Sequence, residues 1–441
     1  MILLIALKEI RENILSLRFM CLLLLAVVFI PSSLYTNYRA YLGRLHDQQQ
    51  IDRNNREYLA GLRQSQIFTA ANFTLDVYWP PVPGSVFSAG LEASHPRHLV
   101  VGKNSVEYGA PLDVEPSAGL FGSLDYLFVV QFIFSLFAIL LSFDAITREK
   151  ESGTLRTMLS NPLGRAALAT GKLVGGYITL AIPLVTAFLA GLLVLSAAGL
   201  NAFDGDFFLR AGWILLSSLL FVAVFFLLGL VVSSLATSTY SALVFSLAVW
   251  LAAVMVVPRA GSLAARLWQP VQSRQAAWME KVAVQNSIDL EKGRALQSAA
   301  DTSWVLDPQG RRVAGEDWPK ERAKIAAPYD ERAASAVQRI EEDYRRRKAG
   351  QRRLALLLAR LSPAGAFASF TTAMAGTGIL AEDRFLNEAE RYRDVIRQEV
   401  FSKMYRDVYP NGAVSMGMTG PIEISRLPEF RLSEAGVAGS L

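Results

Sequence analysis

The sequence predicts a polytopic α-helical membrane protein carrying a small α+β outer domain and a mainly helical outer domain, and three observations predict it. Of 441 residues, 52% are hydrophobic and only 19% charged, with a mean hydropathy of +0.29, more apolar than an ordinary soluble domain. Five apolar runs, at 16–36, 124–143, 173–198, 211–236 and 240–258, each reach the roughly 17–25 helical residues needed to cross a hydrocarbon core of about 30 Å. The segments 37–122 and 259–441 are hydrophilic and large enough to fold by themselves.

The elements follow in order. Residues 1–15 alternate Ile5 and Leu7 with Lys8, Arg11 and Glu12, the pattern of an amphipathic helix lying on a membrane surface. The first span, 16–36, resembles a signal peptide in its basic flank, but Ile30-Pro31-Ser32-Ser33 offers no small-x-small cleavage site, so it reads as uncleaved. Segment 37–122 opens with a polar helical stretch, Tyr38 to Gln66, and then meets Trp79-Pro80-Pro81-Val82-Pro83-Gly84, whose prolines forbid a continuous helix. His98-Leu99-Val100-Val101 and Ser105-Val106-Glu107-Tyr108 alternate as short strands do. The second span is 124–143, followed by a charged connection, 144–172, and by spans 173–198, 211–236 and 240–258. Segment 259–441 reads as helix over 262–300, 319–361 and 381–408, with a turn at Asp307-Pro308-Gln309-Gly310. Its basic run Arg345-Arg346-Arg347-Lys348, with Arg352 and Arg353, follows Glu341, Glu342 and Asp343 and reads first as a solvated helix face, second as a surface for anionic headgroups. Ala364 to Leu380, interrupted upstream by Ser362-Pro363 and weakened by Gly365, Gly376 and Gly378, reads as an interfacial or core helix rather than a sixth span.

Short loops set orientation, because only they obey the positive-inside rule. Lys8, Arg11, Arg18, Arg148, Lys150, Arg156, Arg165 and Lys172 crowd the N-terminal stretch and the 144–172 connection, whereas 199–210 holds Asp204 and Asp206 with only Arg210. This predicts a cytoplasmic N-terminus, with 37–122 and 259–441 on the far side.

The same figures exclude other classes. Thirty-one glycines, 18 prolines and one cysteine, Cys21, leave no room for a collagen-like or disulfide scaffold. The net charge of +5 fits membrane anchoring and gives no reason to expect nucleic acid. No catalytic template matches: there is no H-E-x-x-H and no G-x-S-x-G, and His95 and His98 alone would leave a tetrahedral metal site half empty. Thr170-Gly171-Lys172-Leu173 mimics the end of a phosphate-binding loop, but Ala166 and Leu173 replace the first glycine and the hydroxyl that G-x-x-x-x-G-K-[ST] requires. The chain is therefore expected to be a non-catalytic membrane subunit with no metal or cofactor of its own.

The most informative stretch is 144–165. It predicts a charged helix end, a break at Gly153, a short amphipathic helix with Leu155, Met158 and Leu159 on one side, and a proline turn, a shape suited to docking in a partner's groove. This stretch resembles the signature of ABC-2-type permeases: a stretch E-x-x-x-G-T-L, a Ser-x-Pro turn and an arginine leading to Gly-Lys at the third span. Here these are Glu149, Gly153-Thr154-Leu155, Ser160-Asn161-Pro162, Arg165 and Gly171-Lys172. Met1 to Arg18 is similar to the connecting helix of that family. Trp79 to Glu92, Leu361-Ser362-Pro363-Ala364 and Ala375-Gly376-Thr377-Gly378 resemble a subgroup with large outer inserts after the first and fifth spans.

The resemblance implies the ABC-2, type V exporter-like permease fold and a coupling helix held by a cytoplasmic ATPase. Arg148, Glu149 and Glu151 would make its polar contacts, Leu155, Met158 and Leu159 its hydrophobic anchor, and Gly153, Thr154, Pro162 and Arg165 its frame. It further implies two ATPase copies carrying ATP and Mg²⁺, a second permease chain, identical or paralogous, and a multi-pass place in a bacterial inner membrane, with a periplasmic partner for the outer domains. The family's six spans imply a sixth after Leu441, or else a partner that supplies what the five spans lack. The expected function is export of a substrate that the sequence does not identify, with a hydrophobic or lipid-linked one as the candidate class; the alternative is mechanotransmission, in which the complex drives extracytoplasmic partners without transport.

Overall fold

In lipid a backbone finds no water to bond, so a long apolar run must satisfy its own amides as a helix. A computed structural model of the chain describes residues 2–62, 74–90, 98–102, 106–108, 124–154, 164–199, 204–306, 312–314, 318–399, 404–408, 414–418, 430 and 432. Five helices in it are long and apolar enough to cross a membrane: Leu17–Tyr58, Tyr126–Glu151, Ala166–Ala197, Gly205–Leu235 and Thr239–Trp268. A bent pair, Pro363–Ala375 and Ile379–Glu399, makes a sixth if counted as one span. The chain divides into two units, one comprising Met1–Arg259, Ala359–Lys403 and Pro421–Leu441, the other Ala260–Leu358 and Met404–Gly420.

In the first unit, α1 (Ile2–Ile14) precedes α2 (Leu17–Leu62), which carries Pro31 inside it and continues well beyond the apolar run, as the polar stretch after Tyr38 predicts. α3 begins at Tyr126–Phe128, passes through a π-helical stretch, Val129–Phe134, and resumes as Ser135–Ser142. α4 is the short Thr147–Glu151, followed by α5 (Arg165–Ala197) and α6 (Gly205–Leu235). α7 (Thr239–Trp268) contains a second π-helical stretch, Ala252–Val256. The two π stretches lie on helices tied together: Trp250 Nε1 donates to Ser135 Oγ at 2.8 Å, and the Ser362 hydroxyl donates to the Ala253 carbonyl.

The far end of this bundle is closed by the proline-rich segment. A 3₁₀ turn, Pro83–Val86, is buried there, with Asn37 Nδ2 donating to Val86 O at 3.0 Å and Asp125 Oδ2 accepting from Ala89 N at 3.2 Å. Phe87 stacks on Phe188 and Phe207, each with ring centroids 5.6 Å away. Strands β1 (Leu75–Tyr78), β2 (His98–Val101) and β3 (Val106–Tyr108) form an antiparallel sheet in that order, with Tyr78 opposite His98 and Leu99 opposite Tyr108. α10 (Pro363–Ala375) is a core helix: Ala364, Phe367 and Met374 are buried, and Phe367 stacks on Phe221 of α6 at 4.5 Å. α11 (Ile379–Glu399) sets Phe385 against Trp79 at 5.5 Å.

The second unit is a helical hairpin, α8 (Arg274–Ser303) against α9 (Trp318–Ala359), joined by the strand pair β4 (Trp304–Leu306) and β5 (Arg312–Ala314). Its register is fixed by charges across the pair: Lys281 with Glu341, Lys292 with Asp330 at 2.8 Å, and Arg332 with Glu291 at 2.8 Å. Two expectations need correction. The helix read over 262–300 breaks at Gln269–Ser273, where Pro270 cannot donate to a helical carbonyl. The helix read over 381–408 stops at Glu399, and β6 (Met404–Val408) pairs with β7 (Val414–Met418), runs that carry the strand-favouring Tyr405, Val408 and Val414. The turn at Asp307–Gly310 lies outside the described residues.

Candidate functional site

The charged connection between the second and third spans is held at the end of the bundle opposite the proline-rich turn. Its entry is fixed by Asp144, whose side chain is 8% exposed and pairs with Arg148 and with Arg18 Nη1 at 3.1 Å. Arg18 also donates to Leu140 O at 2.8 Å and lies 5.0 Å from the Phe143 ring centroid. The amides that open α4 have a partner elsewhere: Ile146 N and Thr147 N donate to Ser233 Oγ on α6, at 3.0 and 3.2 Å. Helix starts leave such donors unmet unless a side chain supplies an acceptor.

α4 then places opposite charges on the two helix ends beside it. Lys150 Nζ donates to Ser234 O and, at 3.1 Å, to Ala236 O, where α6 ends and its carbonyls carry partial negative charge. Glu151 accepts from Thr239 N at 2.8 Å and Thr239 Oγ1 at 2.6 Å, where α7 begins and its amides are positive. The turn between spans four and five is therefore clamped by consecutive residues of the connection.

Glu149 points the other way, into a buried cluster. Lys172 Nζ, on a residue only 3% exposed, lies 2.8 Å from Glu149 Oε1 and 2.6 Å from Glu9 Oε1 on α1. α1 reaches this depth because α5 presents glycines to it: a Cβ on Gly175 would stand 2.6 Å from Ala6 O, and one on Gly171 would stand 2.8 Å from Ile5 Cβ. The Glu149 and Gly171-Lys172 parts of the sequence pattern thus meet in space, with two carboxylates sharing one ammonium. Glu149 Oε2 is buried there without a hydrogen-bond partner. α4 ends at Ser152, and Gly153 takes φ +74°, a left-handed conformation that L side chains avoid. Thr154 Oγ1 lies 2.8 Å from Ser152 Oγ.

Of the residues singled out from sequence, Arg148, Glu149, Glu151, Gly153 and Thr154 are therefore grouped at one bundle end, each carboxylate with partners inside the chain. Leu155, Met158, Leu159 and Pro162 lie outside the described residues, as does the side chain of Arg165, which opens α5. Sequence reasoning missed Glu9, Arg18, Asp144, Ser233 and Thr239. A carboxylate at the very end of an apolar span, Asp144, was the one available signal. Lys172 lies inside the α5 helix with two carboxylates, in no loop that could cradle a phosphate. Among the described residues no group of three or more His, Cys, Asp or Glu side chains could hold a metal.

Comparison with known proteins bears on what this arrangement serves. Residues 3–310 match the family described as ABC-2 family transporter protein, and residues 272–431 match a domain of unknown function, DUF3526. The chain is 34% identical over 128 residues to the probable ABC transporter permease protein NosY of Stutzerimonas stutzeri, covering 29% of this chain and 46% of that protein. It is 36% identical over 123 residues to the probable ABC transporter permease protein NosY of Pseudomonas aeruginosa, covering 28% and 44%. The chain thus spans about half the length of the curated relatives it matches.

Proposed function

Because the chain belongs to the ABC-2 transporter family, we propose that it is a transmembrane permease subunit that couples ATP hydrolysis by a separate cytoplasmic ATPase to export of a hydrophobic or lipid-linked substrate. Two ATPase copies, carrying ATP and Mg²⁺, would act on two permease chains in a bacterial inner membrane, with the N-terminus and the 144–172 connection cytoplasmic. The observation that carries the reading is the Glu9–Lys172–Glu149 cluster, which joins α1, the connection and the third span at one point. In this reading Leu155, Met158 and Leu159 seat in the ATPase, framed by Pro162 and Arg165. Arg148, largely exposed, contributes the polar contact. Glu149 and Glu151 work one step behind the contact: they fasten the segment to span three and to the start of span five, so that a displacement of the segment moves both. The shortage of ionisable side chains inside the spans fits a hydrophobic or lipid-linked cargo, or none, since polar cargo pathways through lipid expose charge to a cavity.

The test is co-purification of the chain with its ATPase. Leu155→Asp combined with Met158→Asp should release the ATPase and abolish its stimulation while the permease remains in the membrane. A double variant that still holds and stimulates the ATPase as the parent does would overturn the docking assignment.

A further inference from the structure

We propose that the cationic collar at Arg345–Arg353 of α9 is a binding site for the phosphates of anionic phospholipids in the outer leaflet. Arg345, Arg346, Arg347, Lys348, Arg352 and Arg353 follow within about two and a half helical turns, and at 100° per residue they surround the helix. Only part of this charge is used within the hairpin. Arg345 pairs with Glu341 at 3.0 Å and Arg347 with Asp343 at 2.7 Å, which is the solvated-face arrangement. Arg346, Lys348 and Arg353 are exposed and, among the described residues, have no ion pair; Lys348 reaches only the Gln351 side-chain oxygen, at 3.5 Å. Further along the hairpin the same helices neutralise their lysines across the pair, at Lys281 and Lys292.

The unpaired cations are also ordered in space. Arg339, Arg346 and Arg353 recur every seven residues, so they share one face about 10 Å apart. Beside the first two lies a cleft of 510 Å³ lined by Val271, Gln272, Glu280, Arg339, Tyr344 and Arg346 among others. Of the three carboxylates on its wall, Asp343 pairs with Arg347, Glu280 accepts from Gln272 and Glu342 from Gln338. Arg339 and Arg346 line it with no ion pair among the described residues.

The surroundings mark a lipid boundary. Past the collar α9 becomes apolar, with Leu357 63% exposed, and the last turns of α7 expose Leu263, Leu267 and Trp268. Gln351 Nε2 donates to Gln269 O at 2.7 Å, which sets Arg352 and Arg353 beside the end of α7. Exposed leucines next to a tryptophan and a cationic ring are what a helix pair shows where it passes from hydrocarbon to headgroups. Unpaired cations beside such an apolar boundary call for a counter-charge, and lipid phosphates supply one. The assignment of these phosphates to the outer leaflet rests on the orientation given under Proposed function.

The experiment uses the full chain in nanodiscs of phosphatidylcholine, with or without about 30 mol% phosphatidylglycerol. The anionic lipid should raise the unfolding midpoint by several degrees, and about 0.5 M salt should remove the rise. The variant Arg346→Gln, Lys348→Gln, Arg353→Gln should lose the rise, while Arg294→Gln, Arg322→Gln, Lys324→Gln, equal in charge change but nearer the hairpin tip, should keep it. The charge-preserving Arg346→Lys, Arg353→Lys variant should also keep it, and a loss there would count against the site even if the glutamine variant folds poorly. An undiminished rise in the first variant, or the same rise from inorganic phosphate in pure phosphatidylcholine, would overturn the proposal. Orientation is read separately, in a Cys21→Ala background carrying Ala334→Cys: labelling of intact cells by an impermeant maleimide supports an outer site. Labelling only after permeabilisation defeats the outer-leaflet assignment and the proposed orientation, whatever the nanodisc result.

Discussion

Lys172 is the residue on which the site turns. Among the described residues its ammonium is the sole cation paired with the two carboxylates, at 2.6 and 2.8 Å, so removing it leaves two negative charges facing each other in a buried place. Breaking a buried pair in this way costs about 3–5 kcal/mol, and Lys172→Met should lower the thermal midpoint of the purified chain accordingly. Glu9→Gln should cost distinctly less, because it leaves a neutral one-to-one pair with Glu149. Equal losses in the two variants would contradict the shared-ammonium geometry. Sequence disclosed half of this cluster: Glu149 and Gly171-Lys172 belong to one recognisable pattern, while Glu9 is one of several charges on an amphipathic helix. Its role depends on Gly171 and Gly175 letting α1 approach, a three-dimensional circumstance that no spacing reveals.

Among the elements, α4 is short enough that it depends on borrowed partners. Ser233→Ala deprives Ile146 N and Thr147 N of their acceptor, and leaving buried donors unmet costs about 1–3 kcal/mol. Hydrogen exchange at 146–151 should rise in that variant with the spans unchanged; unaltered exchange would show that the α4 amides find other acceptors. The α8–α9 hairpin makes a pH prediction. Burial acts to raise the Glu341 pKa, but hydrogen bonds and charge from Lys281 and Arg345 outweigh it and hold the carboxyl below its ordinary 4.5. A carboxylate depressed on folding adds stability that is complete above its unfolded value and is lost as pH falls through the folded one. The hairpin should therefore loosen in acid below about pH 4.5, and Glu341→Gln should loosen it already at neutral pH and flatten the acid limb. Hydrogen exchange across 337–345 checks both. Helix positions here were legible from hydrophobic and charge periodicity. The Gln269–Ser273 break and the β6–β7 pair were misread because a single proline in the one, and strand-favouring Tyr405, Val408 and Val414 in the other, outweigh the helix-forming residues around them.

At the scale of the molecule, the spans were the most legible feature, since length and apolarity alone decide them. The closure of the far end was not. Trp79 to Ala89 reads as an irregular outer loop, yet Phe87 is fully buried among Tyr126, Phe188 and Phe207. Three helices, α3, α5 and α6, must be assembled before that cavity exists, so nothing local in the sequence announces what fills it. At the opposite end, the charged connection is fastened to α1, α5, α6 and α7 together. In the proposed function, an impulse delivered there would reach the spans through side chains that are already bonded.

That transmission is the central claim, and charge exchange at the cluster tests it most directly. ATPase stimulation would be measured in the co-purified complex for Lys172→Glu and for Lys172→Glu combined with Glu9→Lys, which restores a cation between two carboxylates. The single variant should keep the ATPase bound but lose at least tenfold of its stimulation, about 1.4 kcal/mol or more in activation free energy, and the double variant should recover most of it. Full stimulation in the single variant, or no recovery in a folded double variant, would contradict a coupling route through Lys172.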